Sequence, residues 1–218
     1  MLVMIQSKKD LEFYIAADRI MNDFSANKSF IDSCKEIFAL GGGKVLIIKY
    51  LRHLRRYAYF YNNHKRLFSW NSIMMLWERF FLNKLGVRLG FSIGTNSLGY
   101  GVVIPHYGTI VINEQACIGN FAVLHTCTCV AGGDKKIGDG FYLSTGCQVV
   151  GSVTIGDGVT VAAHSLVNKS FEGNVLIAGT PAVQKRTEQP VWYESERDKE
   201  RFADRINSIK KLKKIIYG

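Results

Sequence analysis

A six-residue period in the middle of the chain constrains its fold more than any other feature. Aliphatic residues occupy every sixth position, with one extra residue inserted after the fourth, and small residues often follow them. The positions are Ile112, Ile118, Leu124, Val130, Ile137, Leu143, Val149, Ile155, Val161 and Val167. A period of six fits neither an α-helix nor an alternating strand. It predicts a parallel β-helix with three short strands per coil, because each strand then turns one aliphatic side chain into the core.

The composition divides the chain into three parts. Residues 89–183 hold 16 of the 21 glycines and only eight charged residues, which suits tight coil corners. The net charge of +10 comes from +8 in residues 1–88 and +4 in residues 184–218, while the middle is −2. We predict an α-helical N-terminal segment, a β-helix domain and a charged helical tail. Because no clean apolar run has membrane-spanning length and the five cysteines show no pairing pattern, the sequence predicts a cytoplasmic protein with reduced thiols.

Helical spacing marks the N-terminal segment, where two apolar series recur at steps of three and four. The first is Val45, Ile48, Leu51, Leu54 and Ala58, and the second is Trp70, Ile73, Trp77, Phe80 and Phe81. We predict that Gly41 to Gly43 break two helices and that Gly86 ends the last one. Basic and aromatic residues alternate in segment 52–61. This segment fits a packed helix with a solvated basic face, or contact with an anionic membrane; nucleic acid is not predicted as a partner, since no nucleic-acid motif accompanies the charge.

The repeat register predicts which residues are neighbours between coils. Residues three repeats apart should stack in one column, namely Ile104, Leu124, Leu143 and Val161. Because histidines closely follow three of these residues, His106, His125 and His164 should lie along one edge. The step from Ile104 to Ile112 is eight residues long, which predicts a loop that carries His106 out of the regular wall. An imidazole is the natural base near neutral pH.

These runs resemble the hexapeptide-repeat acyltransferases. The segments IPHYGTIVINEQACIGN, AGGDKKIGDG, SVTIGDGVTVAAHSLV and IAGTPA are similar to the serine acetyltransferase branch. The closer likeness is to the serine acetyltransferase-like O-acetyltransferases found with surface polysaccharide biosynthesis. The resemblance implies a left-handed parallel β-helix and a homotrimer with active sites between subunits. It also implies acetyl-CoA as co-substrate without a metal, and His106 as the catalytic base.

The resemblance also implies roles for further residues. Gly132 matches the residue expected near the thioester, and Lys185 could meet the CoA phosphates. Four residues match positions that line the pantetheine and the nucleotide, namely Thr145, Ala163, Gly179 and Pro181. We expect Glu114 or a backbone carbonyl to orient the His106 imidazole, and His125 to assist as a second base or to bind the acceptor.

Departures from the family pattern concern the acceptor. Pro105 and Phe91 stand where serine acetyltransferases have aspartates, and Lys135-Lys136 stand where an Arg-His pair recognises the serine carboxylate. Because an unpaired buried charge is costly, the sequence favours a saccharide hydroxyl over serine as acceptor. Contact of the cytoplasmic protein with the inner face of the membrane stays open. Serine O-acetylation, a non-catalytic trimeric scaffold and a γ-carbonic-anhydrase-like metalloprotein are the alternatives.

Overall fold

A computed structural model describes residues 4–27, 34, 42–64, 69–186 and 196–218. Its centre is a left-handed parallel β-helix with three sheets. The first sheet contains β1 (Phe91–Ile93), β2 (Ile110–Ile112), β5 (Thr128–Ala131), β8 (Gln148–Val150) and β11 (Leu166–Val167). The second contains β4 (Val123–Leu124), β7 (Tyr142–Leu143), β10 (Thr160–Val161), β12 (Leu176–Ala178) and the antiparallel β13 (Val183–Arg186). The third contains β3 (Ala116–Ile118), β6 (Lys135–Ile137) and β9 (Val153–Ile155).

The predicted six-residue period forms the core of this coil. All ten repeat positions are at most 5% exposed. The predicted column is also confirmed, since Leu143 pairs with Leu124 on one side and with Val161 on the other. The bridge between Val103 and Val123 places Ile104 above Leu124.

Small residues follow the aliphatic positions because the coils approach closely at the corners. A Cβ atom on Gly138 would lie 2.6 Å from the backbone nitrogen of Asp157. The Asp157 side chain accepts a hydrogen bond of 2.8 Å from the amide of Asp139, and the Asp139 side chain accepts one of 2.7 Å from the amide of Asn120. Neighbouring corners are therefore linked by carboxylates as well as by the strand ladders.

In the described part of the chain, four helices flank the coil, namely α1 (Lys8–Met21), α2 (Gly42–Asn63), α3 (Trp70–Leu89) and α4 (Glu196–Tyr217). The predicted apolar series of α2 is buried throughout. The predicted end of α3 at Gly86 is wrong, because the helix continues to Leu89 and Gly90 caps it with a left-handed backbone, φ 81°. Gly86 instead lets the carbonyl of Phe91 approach, since a Cβ atom there would lie 2.8 Å from that oxygen. None of the described helices combines the length and the apolar composition needed to cross a bilayer.

A buried ion pair joins the helices to the first coil. Arg55 of α2 is 2% exposed, and its guanidinium donates to Asp18 of α1 over 2.8 Å and to the carbonyl of Leu98 over 2.7 Å. Asp18 in turn accepts hydrogen bonds from the amides of Gly101 and Val102. The expectation that the basic residues of segment 52–61 form a solvated face is therefore wrong for Arg55, because this side chain satisfies carbonyls at the start of the coil.

Four of the five residues of the second predicted apolar series face outward on α3, and the fifth, Phe81, is partly buried and stacks on His53. The packed side of α3 carries Leu82, Leu85 and Leu89, each at most 8% exposed. The opposite side exposes large apolar side chains to solvent, namely Trp70, Ile73, Leu76, Trp77, Phe80 and Val87. The spacing thus predicts the helix correctly, and only the structure shows which side of it packs.

Candidate active site

One edge of the coil, where the second sheet passes into the first, carries the predicted histidines. Backbone hydrogen bonds connect its successive corners. The amide of Gly146 donates to the carbonyl of Thr126 over 3.1 Å, and the amide of His164 donates to the carbonyl of Thr145 over 2.9 Å. The Thr180 hydroxyl donates to the carbonyl of His164 over 3.3 Å. Neighbouring coils lie about 4.8 Å apart, so this edge, which we call the histidine edge, presents one corner after another at regular spacing.

His106 lies in an exposed loop at the start of the histidine edge. The loop is held at its base by the buried residues Ile104 and Ile110. The amide of Gly108 donates to the carbonyl of Leu89 over 2.9 Å, which fixes the loop to the end of α3. The eight-residue step predicts this loop, because two additional residues have no place in the regular wall.

His125 occupies the next corner and is half buried. Its Nε2 atom lies 2.8 Å from the hydroxyl oxygen of Tyr142, the residue that pairs with Val123 on the adjacent coil. Burial lowers the pKa of the His125 imidazole, and the nearby His106 lowers it further. His125 is therefore neutral at pH 7. As the pH falls below about 6.5, the His125 imidazole takes up a proton more readily in the unfolded chain than in the folded protein. The free energy of unfolding therefore decreases with falling pH in this range. The sequence analysis missed Tyr142, although the register places it beside the strand that leads to His125.

Removing His106 is expected to raise the pKa of His125. In His106→Ala the neighbouring positive charge is lost, while burial still holds the pKa of His125 below its usual value of 6.5. Imidazole proton resonances followed by NMR over a pH titration give both values directly. His164→Ala is the matched control, since His164 lies two coils beyond His125, and it should leave the pKa of His125 unchanged. An unaltered value in His106→Ala would contradict the close placement of the two rings.

The residues that match CoA positions continue along the histidine edge. Thr145 follows β7, Ala163 follows β10, and Gly179 follows β12. Pro181 is two residues farther on and closes a cis peptide bond with Thr180. Lys185 is exposed on β13, which pairs with β12. Five of the six predicted cofactor-binding residues therefore lie on the histidine edge or directly beside its far end.

Glu114 and Gly132 lie at a different corner, where the first sheet passes into the third. Glu114 follows β2 and its nearest described partner is the Thr95 hydroxyl, 3.5 Å away. Gly132 follows β5 and has a left-handed backbone, φ 68°, with no atom within 4 Å of the space its side chain would fill. Within one chain a full side of the coil separates Glu114 from His106, so the orienting role of Glu114 stays a prediction that needs the edges of two neighbouring chains to meet. We call this second corner the glycine edge.

Lys135 is turned inward beneath the glycine edge. It is 1% exposed, and its ammonium donates to the carbonyls of Ala131, over 2.8 Å, and of Gly132. Burial lowers the pKa of this lysine. Lys135 therefore shapes the loop around Gly132 and is turned away from solvent. Its neighbour Lys136 is exposed. Within the described ranges, no three His, Cys, Asp or Glu side chains are grouped so that they could hold a metal ion.

Comparisons with known proteins agree with this architecture. Residues 134–169 match the family model described as bacterial transferase hexapeptide, six repeats. Serine acetyltransferase 2 of Arabidopsis thaliana is 37% identical over 92 residues, which cover 39% of this chain and 28% of that protein. The serine acetyltransferase of Escherichia coli strain K12 is 28% identical over 121 residues, 52% of this chain and 44% of that protein. The chain thus aligns with less than half of these curated relatives.

Two solved structures share the fold. A serine acetyltransferase from Brucella abortus strain S19 has a TM-score of 0.52 at 19% identity and covers 79% of this chain and 66% of its own. A serine acetyltransferase in complex with CoA has a TM-score of 0.54 at 18% identity and covers 82% of this chain and 74% of its own. The repeat period, the coil and the matched segment agree: this chain contains a β-helix built from six-residue repeats, and residues 134–169 of it match the bacterial transferase hexapeptide model.

Proposed function

We propose that this protein is an acetyl-CoA-dependent O-acetyltransferase that acts in the cytoplasm as a homotrimer. The observation that carries the proposal is that His106 shares one edge with the residues that match CoA positions. The named relatives support it, since they are serine acetyltransferases and one solved relative is a complex with CoA. The separation of the two edges supports the trimer, because a full side of the coil lies between the histidine edge and the glycine edge of one chain, and a site that uses both needs neighbouring chains.

In this reaction a neutral His106 accepts the proton of the acceptor hydroxyl while its oxygen attacks the thioester carbonyl carbon. A tetrahedral intermediate forms, and its oxygen carries the negative charge. The open space over Gly132 lets backbone amides of a neighbouring subunit approach that oxygen. The carbon–sulfur bond then breaks, and the CoA sulfur takes the proton back from His106. The products are an acetyl ester and free CoA. His125, held neutral by burial, adds no competing positive charge.

Serine is the acceptor that the relatives favour, because each of those reported above is a serine acetyltransferase. A neutral saccharide hydroxyl in polysaccharide biosynthesis is the second candidate, and one observation favours it. The corners of the histidine edge, residues 105–109, 125–127, 144–146, 162–165 and 179–182, contain no Asp, Glu, Lys or Arg. The ammonium and carboxylate groups of serine find no charged partner on this edge, whereas the glycine edge carries the exposed residues Glu114, Asp134 and Lys136.

Release of CoA thiol with L-serine and with a panel of neutral saccharides tests both candidates. We expect L-serine to be acetylated with a KM above about 1 mM, the upper end of the usual range, because its charges are unpaired on the histidine edge. A higher kcat/KM for a saccharide would establish the second candidate. If no acceptor raised the rate of thiol release above that of acetyl-CoA hydrolysis without an acceptor, the result would contradict acetyl transfer. The non-catalytic scaffold would then be the remaining alternative.

A further inference from the structure

The outward side of α3 carries six large apolar side chains, with Lys84 between Phe80 and Val87. Its six large side chains are between 57% and 88% exposed, and we call them the α3 surface: Trp70, Ile73, Leu76, Trp77, Phe80 and Val87. The other side of α3 already packs on the protein through leucines. A helix that is apolar on both sides requires a second apolar environment. Scattered apolar residues need no explanation, but six on one helix side form a patch of the kind that contacts a partner or a membrane.

The charge around the α3 surface is almost entirely positive. Residues 42–89 contain ten lysines and arginines and a single acidic residue, Glu78. Glu78 is 1% exposed, and its carboxylate is bound to Arg56 over 2.5 Å and to His53 over 2.6 Å. Arg79, Lys84 and Arg88 are exposed on the same helix. Residues 42–89 therefore present cations and no exposed carboxylate. The neighbouring coil contributes Glu114, which lies near enough to Tyr57 of α2 to add to the rise that burial causes in the pKa of that residue.

We propose that the α3 surface docks this protein onto an anionic lipid bilayer. The tryptophan, phenylalanine and aliphatic side chains would enter the boundary between headgroups and acyl chains, while Lys84 and Arg88 contact lipid phosphates. A second copy of the chain is a poorer occupant, because two such surfaces would bring like charges together. The alternative in which segment 52–61 contacts the membrane is not adopted, because this segment belongs to α2, which is packed between the coil and α3. The α3 surface takes its place in the proposal. The docking does not depend on the acetyl-transfer proposal.

Co-sedimentation of the full chain with vesicles tests this proposal. We expect binding to vesicles that contain phosphatidylcholine and phosphatidylglycerol in a ratio of about 3:1, and little binding to vesicles of phosphatidylcholine alone. Ile73→Ser combined with Phe80→Ser is expected to weaken binding about tenfold or more. Lys84→Glu combined with Arg88→Glu should do the same. The control is Ile215→Ser on α4, where Ile215 is 80% exposed and outside the α3 surface; it should bind as the unmodified protein does.

Tryptophan fluorescence gives a second reading, because two of the three tryptophans lie on the α3 surface. In a Trp192→Phe background, vesicles of the anionic mixture should shift the emission to shorter wavelength. Equal binding to both vesicle types, or unchanged binding of both double variants, would overturn the proposal. The proposal would also be overturned if Ile73→Ser/Phe80→Ser had a lower molar mass by light scattering than the unmodified protein and still bound vesicles. That result would mean that a second copy of the chain covers the α3 surface. Thiol release in vesicle-free buffer should stay unchanged, which separates docking from catalysis.

Discussion

Replacing His106 with alanine is expected to lower kcat for acetyl transfer by about 10²- to 10⁴-fold, the contribution of a well-placed general base. The acceptor hydroxyl would then have to lose its proton to water during attack on the thioester. The protein should remain folded, because the His106 side chain is exposed in a loop whose anchors are Ile104 and Ile110. Thiol release from acetyl-CoA at saturating acceptor measures the loss.

His64→Ala is the control for this substitution. His64 is also an exposed histidine, but it follows the end of α2 and its Nδ1 atom lies near the carbonyl of Tyr61. Its removal should leave kcat unchanged. Full activity in His106→Ala would show that His106 is not the base.

Replacing Arg55 with methionine is expected to lower the free energy of unfolding by about 3–5 kcal/mol. The change leaves Asp18, 2% exposed, as a buried carboxylate without its cation, and removing one partner of a buried pair has that order of cost. The carbonyls of Leu98 and Gly99 also lose their donor. Urea unfolding followed by circular dichroism at pH 7 measures the difference. Arg79→Met, at an exposed position on α3, should change stability by less than about 0.5 kcal/mol.

The double variant distinguishes a paired charge from simple packing. Asp18→Asn combined with Arg55→Met removes both charges, so it should be destabilised by clearly less than the sum of the single variants. Additive losses would mean that the two side chains stabilise the junction independently, contrary to the geometry of the ion pair.

The coil could be predicted from the sequence because every turn repeats the same local requirement. One aliphatic side chain per strand and one small residue per corner fix both the period and the register. The neighbours Leu124, Leu143 and Val161 therefore follow from counting residues. The common edge of His106 and His125 follows for the same reason, since His106 lies two residues after Ile104 and His125 lies one residue after Leu124.

Counting residues along the repeats does not predict the contacts of side chains whose partners lie outside their own strand column. Glu114 was expected beside His106, but a corner is separated from the next by a full strand, and Glu114 belongs to the glycine edge. Lys135 aligns with a family residue that recognises the serine carboxylate, yet its long stem lets the ammonium reach back to the carbonyls of Ala131 and Gly132. Nothing in the hexad pattern distinguishes an inward lysine from an outward one.

The sequence by itself determined the β-helix, its register and the placement of His106 on an exposed loop, because these depend on local periodicity. Only the tertiary structure decided how the helices meet the coil. It buried Arg55 against Asp18 and turned four of the five residues in the apolar series of α3 toward solvent. Such contacts join residues far apart in the chain, and a helical period defines an apolar side without specifying which surface will cover it.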